Sequence, residues 1–144
     1  MGAVQLFLTD THTLAGREAE GLPLLTEKRR EEAASFQNEE ARLLHCAAGL
    51  LLRRVLCVTK DEELVIGPMG KPSLACGGVE FSLSHGGHYA ALAVSGQAVG
   101  VDVEPVRPPG AFPRKVFTQA ELDWFSVHPG PKIFAGFGPG WRAR

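Results

Sequence analysis

Val79-Glu80-Phe81-Ser82-Leu83-Ser84-His85-Gly86-Gly87-His88-Tyr89-Ala90-Ala91-Leu92-Ala93-Val94-Ser95-Gly96 is the stretch whose reading decides the fold. From Val79 to Leu83 apolar and polar residues alternate, the pattern of a strand with one buried face. A small polar turn follows, and Tyr89 to Val94 opens a second strand that is apolar nearly throughout. Beyond it, Val99 to Val103 is an apolar, β-branched run that reads as a third, buried strand, with Ser95-Gly96 turning the last pair as a hairpin.

Working outward, Val4 to Leu8 reads as a strand, followed by a loop through Pro23 and a charged helix from about Thr26 to Ala34. Asn38 is placed to cap the longest helix, Glu39 to about Leu56, with Glu39 and Glu40 favourable in its first turn. Helical spacing puts Arg42, His45, Gly49 and Arg53 on a solvated face and leaves Leu44, Ala47, Ala48, Leu51 and Val55 to pack on the sheet. Leu64 to Ile66 is a further short strand, Gly70-Lys71-Pro72 a turn, and Thr118-Gln119-Ala120-Glu121 a capping box that opens a helix through about Phe125. Helices packed on a mostly antiparallel sheet give an α+β class. No internal repeat is visible.

The chemistry lies between residues 70 and 104. Asp102 and Glu104 close the apolar run, and in a strand residues i and i+2 share a face. Their Cβ atoms then stand about 6 to 7 Å apart, at a rise of roughly 3.3 Å per residue, within reach of one cation. Two facing carboxylates repel unless a positive charge sits between them. An oxygen-only pair that leaves positions for water and phosphate suits Mg²⁺ better than an all-protein Ca²⁺ cage. Ordinary surface acids at a strand end would read the same way. In the Ser84-His85-Gly86-Gly87-His88 turn, hydroxyl, imidazole and glycine amides occur together, a combination suited to phosphate. His85 and His88 as a zinc pair make an incomplete ligand set. Lys71, fixed between Gly70 and Pro72, presents an ammonium from a stiff backbone and could join the same anion.

Taken together, Gly70-Lys71-Pro72, Phe81-x-x-Ser84-His85 and Val99-Gly100-Val101-Asp102-x-Glu104 resemble the motifs of the 4′-phosphopantetheinyl transferase family, in its longer monomeric type known from surfactin synthetase activation. Upstream, Glu27 to Arg30, Phe36 and Glu39 to Arg54 are similar to the helix pair preceding Gly-Lys-Pro in the family; downstream, Arg114 to Glu121 resembles the segment after Asp-x-Glu. The likeness spans residues from about 22 to 127.

The resemblance implies a two-lobe fold, with residues 1–105 as an N-terminal lobe carrying the coenzyme A motifs and residues 106–144 as the start of an incomplete second lobe. It implies transfer of the phosphopantetheine arm of coenzyme A to a serine of an apo acyl or peptidyl carrier protein, with Mg²⁺ as cofactor. By position, Asp102 and Glu104 correspond to metal ligands and, with His85, to catalytic residues. Lys71, Pro72, Ser84, His85, Lys28 and Arg29 correspond to coenzyme A contacts, and Arg53 to support on the nucleotide side. Family members carry a further Trp-x-x-Lys-Glu helix that supplies a third metal ligand. Here residues 128–144 are instead rich in Gly and Pro, poor helix formers. Back-translation from the third base of the Ala135 codon permits Trp and Glu at the family spacing but excludes the lysine, so a shifted reading frame is one expectation. A non-catalytic remnant that binds coenzyme A or carrier protein is the alternative, and an unrelated Mg²⁺-dependent phosphohydrolase a remoter one.

Composition sets the remaining bounds. The chain has 144 residues, 44% hydrophobic and 22% charged, with a formal charge of −1 that leaves no basic excess for nucleic acid. Cys46, Cys57 and Cys76 are odd in number and mostly embedded in apolar stretches, and read as reduced core residues. The longest apolar run, Cys46 to Leu52, is too short to span a bilayer, and the amino end lacks a signal-peptide pattern; a cytoplasmic location with no membrane partner is the expectation. Without a complete second lobe, apolar surface is expected to be exposed near Val99 to Val103.

Overall fold

A computed structural model describes residues 2–105 and 117–127. Among the described residues five strands, β1 (Val4–Asp10), β2 (Leu64–Ile66), β3 (Pro72–Leu74), β4 (Glu80–Gly86) and β5 (Tyr89–Ser95), form two antiparallel sheets. The larger runs in the order β1-β5-β4, and the smaller pairs β2 with β3. The α-helices among the described residues are α1 (Glu18–Gly21), α2 (Glu27–Ser35), α3 (Glu39–Leu56) and α4 (Gln119–Val127). The class is α+β. Among the described residues no helix is long and apolar enough to cross a membrane.

The core forms where α3 lies on the larger sheet. Ala47, Ala48, Leu51 and Leu52 of α3 meet Ala90, Leu92 and Val94 of β5 and Phe81 of β4, all buried, with Phe7 and Leu83 packed alongside. Phe7 and Leu83 both lie opposite Leu92, so one face of the sheet is marked out by the pairing itself. Full burial of a side chain such as Leu52, Leu92 or Phe81 stabilises by roughly 2 to 3 kcal/mol. The helix ends follow from local chemistry. Asn38 accepts a hydrogen bond from the Ala41 amide at 3.0 Å, capping α3 as its position predicts. At the other end Cys57 takes the left-handed conformation, φ 56°, so that the Val58 amide donates back to the Leu52 carbonyl at 3.2 Å and Val58 turns into the core.

The solvated-face reading of α3 is corrected by α2. Leu25, Ala33 and Cys46 form a second buried cluster, with Leu22 and Leu50 against it. Gly49 is the point of close approach: a Cβ there would stand 2.5 Å from Leu25 Cδ2 and 3.0 Å from Arg29 Cδ. His45 is covered too, its side chain only 15% exposed, with the Phe36 ring at 5.3 Å. Its Nε2 lies 3.2 Å from Glu32 Oε2 without hydrogen-bond geometry, so that contact is Coulombic. Leu43, rather than Leu44, is among the buried residues of α3. Arg42 grips Glu18 through Nε at 2.7 Å and Nη2 at 3.4 Å, tying α1 to α3.

Three further expectations change. Residues 99–103 form no strand, and Ser95-Gly96 therefore turns no hairpin; the Ser95 hydroxyl instead accepts the Gln97 amide at 3.2 Å. The turn at Gly70 is as expected, with φ 81°, but it closes a hairpin, since Pro72–Leu74 pairs with Leu64–Ile66. Of the cysteines only Cys46 is buried; Cys57 and Cys76 are exposed. Val99, Val101 and Val103 are half-buried, whereas on β1 Val4, Leu6 and Leu8 alternate onto the face away from α3 with 57 to 60% exposure. The chain divides into two units after Glu104. In the second, Thr118 and Glu121 form the expected reciprocal cap of α4. The Gly/Pro-rich segment 128–144 and Arg114 lie outside the described residues.

Replacing Gly49 with Val is expected to destabilise the protein by about 2 kcal/mol, the usual scale of overpacking, read from urea denaturation. Burial, reinforced by the Arg29 charge, holds the His45 imidazole below its ordinary pKa of 6.5. The folded state then binds fewer protons than the unfolded state in this window, so stability is fully present above about pH 6.5 and is lost as the pH falls through the lowered value. Denaturation midpoints at pH 7.5 and 5.5 are expected to show this loss, and His45→Gln to flatten it; an unchanged slope in the variant would count against His45 as its source.

Candidate functional site

Strand β4 presents two faces, and the candidate residues divide between them. Phe81, Leu83 and His85 fall on the side of α3, because their partners Val94, Leu92 and Ala90 belong to the core. Ser82, Ser84 and Gly86 fall on the opposite, outer side. Adjacent Ser84 and His85 therefore leave the strand in opposite directions rather than converging on one anion.

On the outer side, residues 99–104 follow β4. The Val101 amide donates to Ser82 Oγ at 3.1 Å and the Val103 amide to Ser84 Oγ at 3.1 Å. The offset of 19 residues is the same in both bonds, so the segment runs in the same sense as β4, seated on hydroxyls instead of a backbone ladder. Ser84 Oγ in turn donates to Asp102 Oδ1 at 3.2 Å. One residue pair further on, Gly86 sits so close to the Val103 carbonyl that a Cβ would collide with its oxygen. Exposure alternates along the segment: Val101 and Val103 are half-buried, Asp102 and Glu104 exposed. Both carboxylates are thus open to solvent.

Lys71 reaches this segment from the β2–β3 turn. Its Nζ donates to the Val99 carbonyl at 2.7 Å, leaving two further N–H donors on the ammonium. The turn that holds it is closed by the Gly67 amide on the Lys71 carbonyl, 2.9 Å, and Pro72 follows as the first residue of β3, opposite Ile66. All three motifs of the sequence thereby touch residues 99–104 or the strand beneath them.

The other candidates belong to the α3 side. The Lys28 amide donates to Asp61 Oδ2 at 3.0 Å, and its ammonium stands 4.0 Å from Glu32 Oε1. Arg29 is largely buried, its Nη1 donating to the His45 carbonyl at 3.2 Å, and burial lowers its pKa. His85 is exposed, and its charge is a minor contributor to the lowered His45 value, behind burial and Arg29. Arg53 lies in the last turn of α3. His88 stacks on His12, centroids 4.2 Å apart, with His12 Nδ1 2.9 Å from Asp10 Oδ1 and His88 Nδ1 3.7 Å from Glu40 Oε1.

The outer group thus carries two carboxylates and one ammonium, a set suited to a hard cation, while on the α3 side the cations and imidazoles are mixed with the carboxylates of Asp10, Glu32, Glu40 and Asp61. Among the described residues no three His, Cys, Asp or Glu side chains gather closely enough to hold a metal ion. Asp102 and Glu104 fit Mg²⁺ as an open, all-oxygen pair that leaves places for water and phosphate. Ser82 is not among the candidates from sequence, and Gly86 enters there only as a turn glycine beside a phosphate; the signal for both is the spacing Ser82, Ser84, Gly86, which lines one strand face with small or hydroxyl-bearing residues. Searched against family models and against curated proteins, the chain matches none.

Proposed function

We propose that the chain is a 4′-phosphopantetheinyl transferase, its first unit corresponding to the first lobe of that two-lobe fold, which moves the phosphopantetheine arm of coenzyme A onto a serine of an apo carrier protein. The observation that carries this reading is the linkage of the three motifs: Lys71 holds Val99, Ser84 holds Asp102, and both bonds fall on the segment that ends in Glu104. Residues that resemble the family in order along the chain are also neighbours in space.

In the reaction the carrier serine oxygen bonds to the β-phosphorus of coenzyme A, the bond from that phosphorus to the bridging oxygen breaks, and 3′,5′-ADP leaves. The hydroxyl proton passes to a base. Positioning and charge neutralisation do most of the catalytic work in such transfers. Asp102 and Glu104 would hold Mg²⁺, which supplies positive charge to the diphosphate. Lys71 brings a second positive charge to the same side of the sheet. His85, Lys28 and Arg29 lie on the other side, where the Lys28 ammonium is near Glu32 and Arg29 donates to the His45 carbonyl.

The test is incubation of the full chain with apo carrier protein, coenzyme A and Mg²⁺, read as a carrier mass gain of one phosphopantetheine. Transfer is expected, and Asp102→Asn is expected to slow it by at least about 100-fold, the scale of removing one transition-state charge contact. Bound coenzyme A with no mass gain favours the non-catalytic remnant. Phosphate release from nucleotides without a carrier would favour a phosphohydrolase.

A further inference from the structure

Nothing in the reaction explains why the metal-facing segment is seated on side-chain hydroxyls. A backbone ladder would satisfy the amides of Val101 and Val103 equally well, yet both go to serines two residues apart on β4. Ser84 spends its only donor on this segment: its single O–H is committed to Asp102 Oδ1 while one lone pair takes the Val103 amide. A hydroxyl so occupied cannot also donate to a ligand phosphate without releasing Asp102. Gly86 continues the same row, and its missing side chain is what lets the Val103 carbonyl approach.

From this geometry we infer that Ser82, Ser84 and Gly86 are positioning residues, a track that fixes the path of residues 101–103 and, through the Ser84 hydroxyl, the direction in which the Asp102 carboxylate is turned. The inference rests on the transferase reading only for its catalytic consequence; the track itself is a property of the fold. It assigns Ser84 to the polypeptide rather than to coenzyme A, and it gives Ser82 and Gly86 a role that motif resemblance does not. Lys71 fixes the start of the same segment through the Val99 carbonyl, so the track and the lysine together define its course before Asp102 is reached.

Amide hydrogen exchange, resolved by residue in the full chain, tests the track directly. Ser82→Ala is expected to speed exchange of the Val101 amide about fivefold, and Ser84→Ala that of Val103 by at least as much, the scale of one lost neutral hydrogen bond. Ser84→Thr, which keeps the hydroxyl on a strand position where β-branching is accepted, is expected to restore protection. Gly86→Ala is expected to free Val103 while the β4–β5 amides stay protected, which separates displacement of the segment from unfolding. Unchanged Val101 and Val103 exchange in both alanine variants would overturn the inference.

The catalytic consequence is read separately. Ser84→Ala is expected to raise the Mg²⁺ concentration for half-maximal transfer several-fold without changing the KM for coenzyme A, and Ser84→Thr to reverse the change. A raised coenzyme A KM with Mg²⁺ dependence unaltered would instead make Ser84 a ligand contact and defeat the assignment. If the unaltered chain transfers nothing while the alanine variants release their amides, the transferase reading falls and the track stands.

Discussion

The fold depends on the contact between α3 and β5. Ala90 and Ala91, with no exposed surface, and the nearly buried Ala93 give the central strand small side chains on both faces, and α3 answers with Ala47 and Ala48 at its point of contact. Small residues on both partners let helix and sheet approach closely, so that the larger Leu51, Leu52, Leu92 and Phe81 interdigitate around them. Every candidate residue is referred to this contact. β4 is held in register by β5, the 99–104 segment is held by β4, and α2 is held by α3.

Those elements whose signals are local could be read from the chain. The amphipathic pattern of α3, its Asn38 cap, the alternation in β4 and the reciprocal Thr118–Glu121 cap each depend on residues within a few positions of one another. What could not be read is which partner an element meets. His45 and Gly49 look solvated when only the sheet is considered, because α2 carries mostly charged residues and shows no apolar stripe that would announce its docking. Its contact is made by Leu25 just before the helix and by the single buried Ala33, both too sparse for a periodic signal. β3 is no longer than β2 but opens on Pro72, directly after Gly70 and Lys71, so its first residue reads as part of the turn rather than as a strand.

The same distinction governs the site. Val99 to Val103 reads as a buried strand because its residues are β-branched, yet no ladder forms: composition cannot say whether an amide finds a carbonyl or a hydroxyl. The two-residue period survives even where no ladder forms, with Asp102 and Glu104 both exposed and Val101 and Val103 half-buried. Ser84 and His85, adjacent in sequence and both suited to phosphate, read as companions; pleating sends them to opposite sides of the sheet. Nearness along the chain and nearness in space are different quantities at the end of a strand.

A two-residue period also makes the seating of the acidic segment selective about slippage. A shift by one residue would turn the valines outward and the carboxylates inward, against both hydrophobic burial and the cost of desolvating charge. Advancing by two would restore the alternation but bring Pro105, which has no amide hydrogen, to the place where Ser84 accepts one. Retreating by two would carry Val99 away from the lysine that holds its carbonyl. A proline at one end and an ammonium at the other thus act as stops, and the alignment of the two acids is guarded by residues whose own side chains carry no part of the acidic pair.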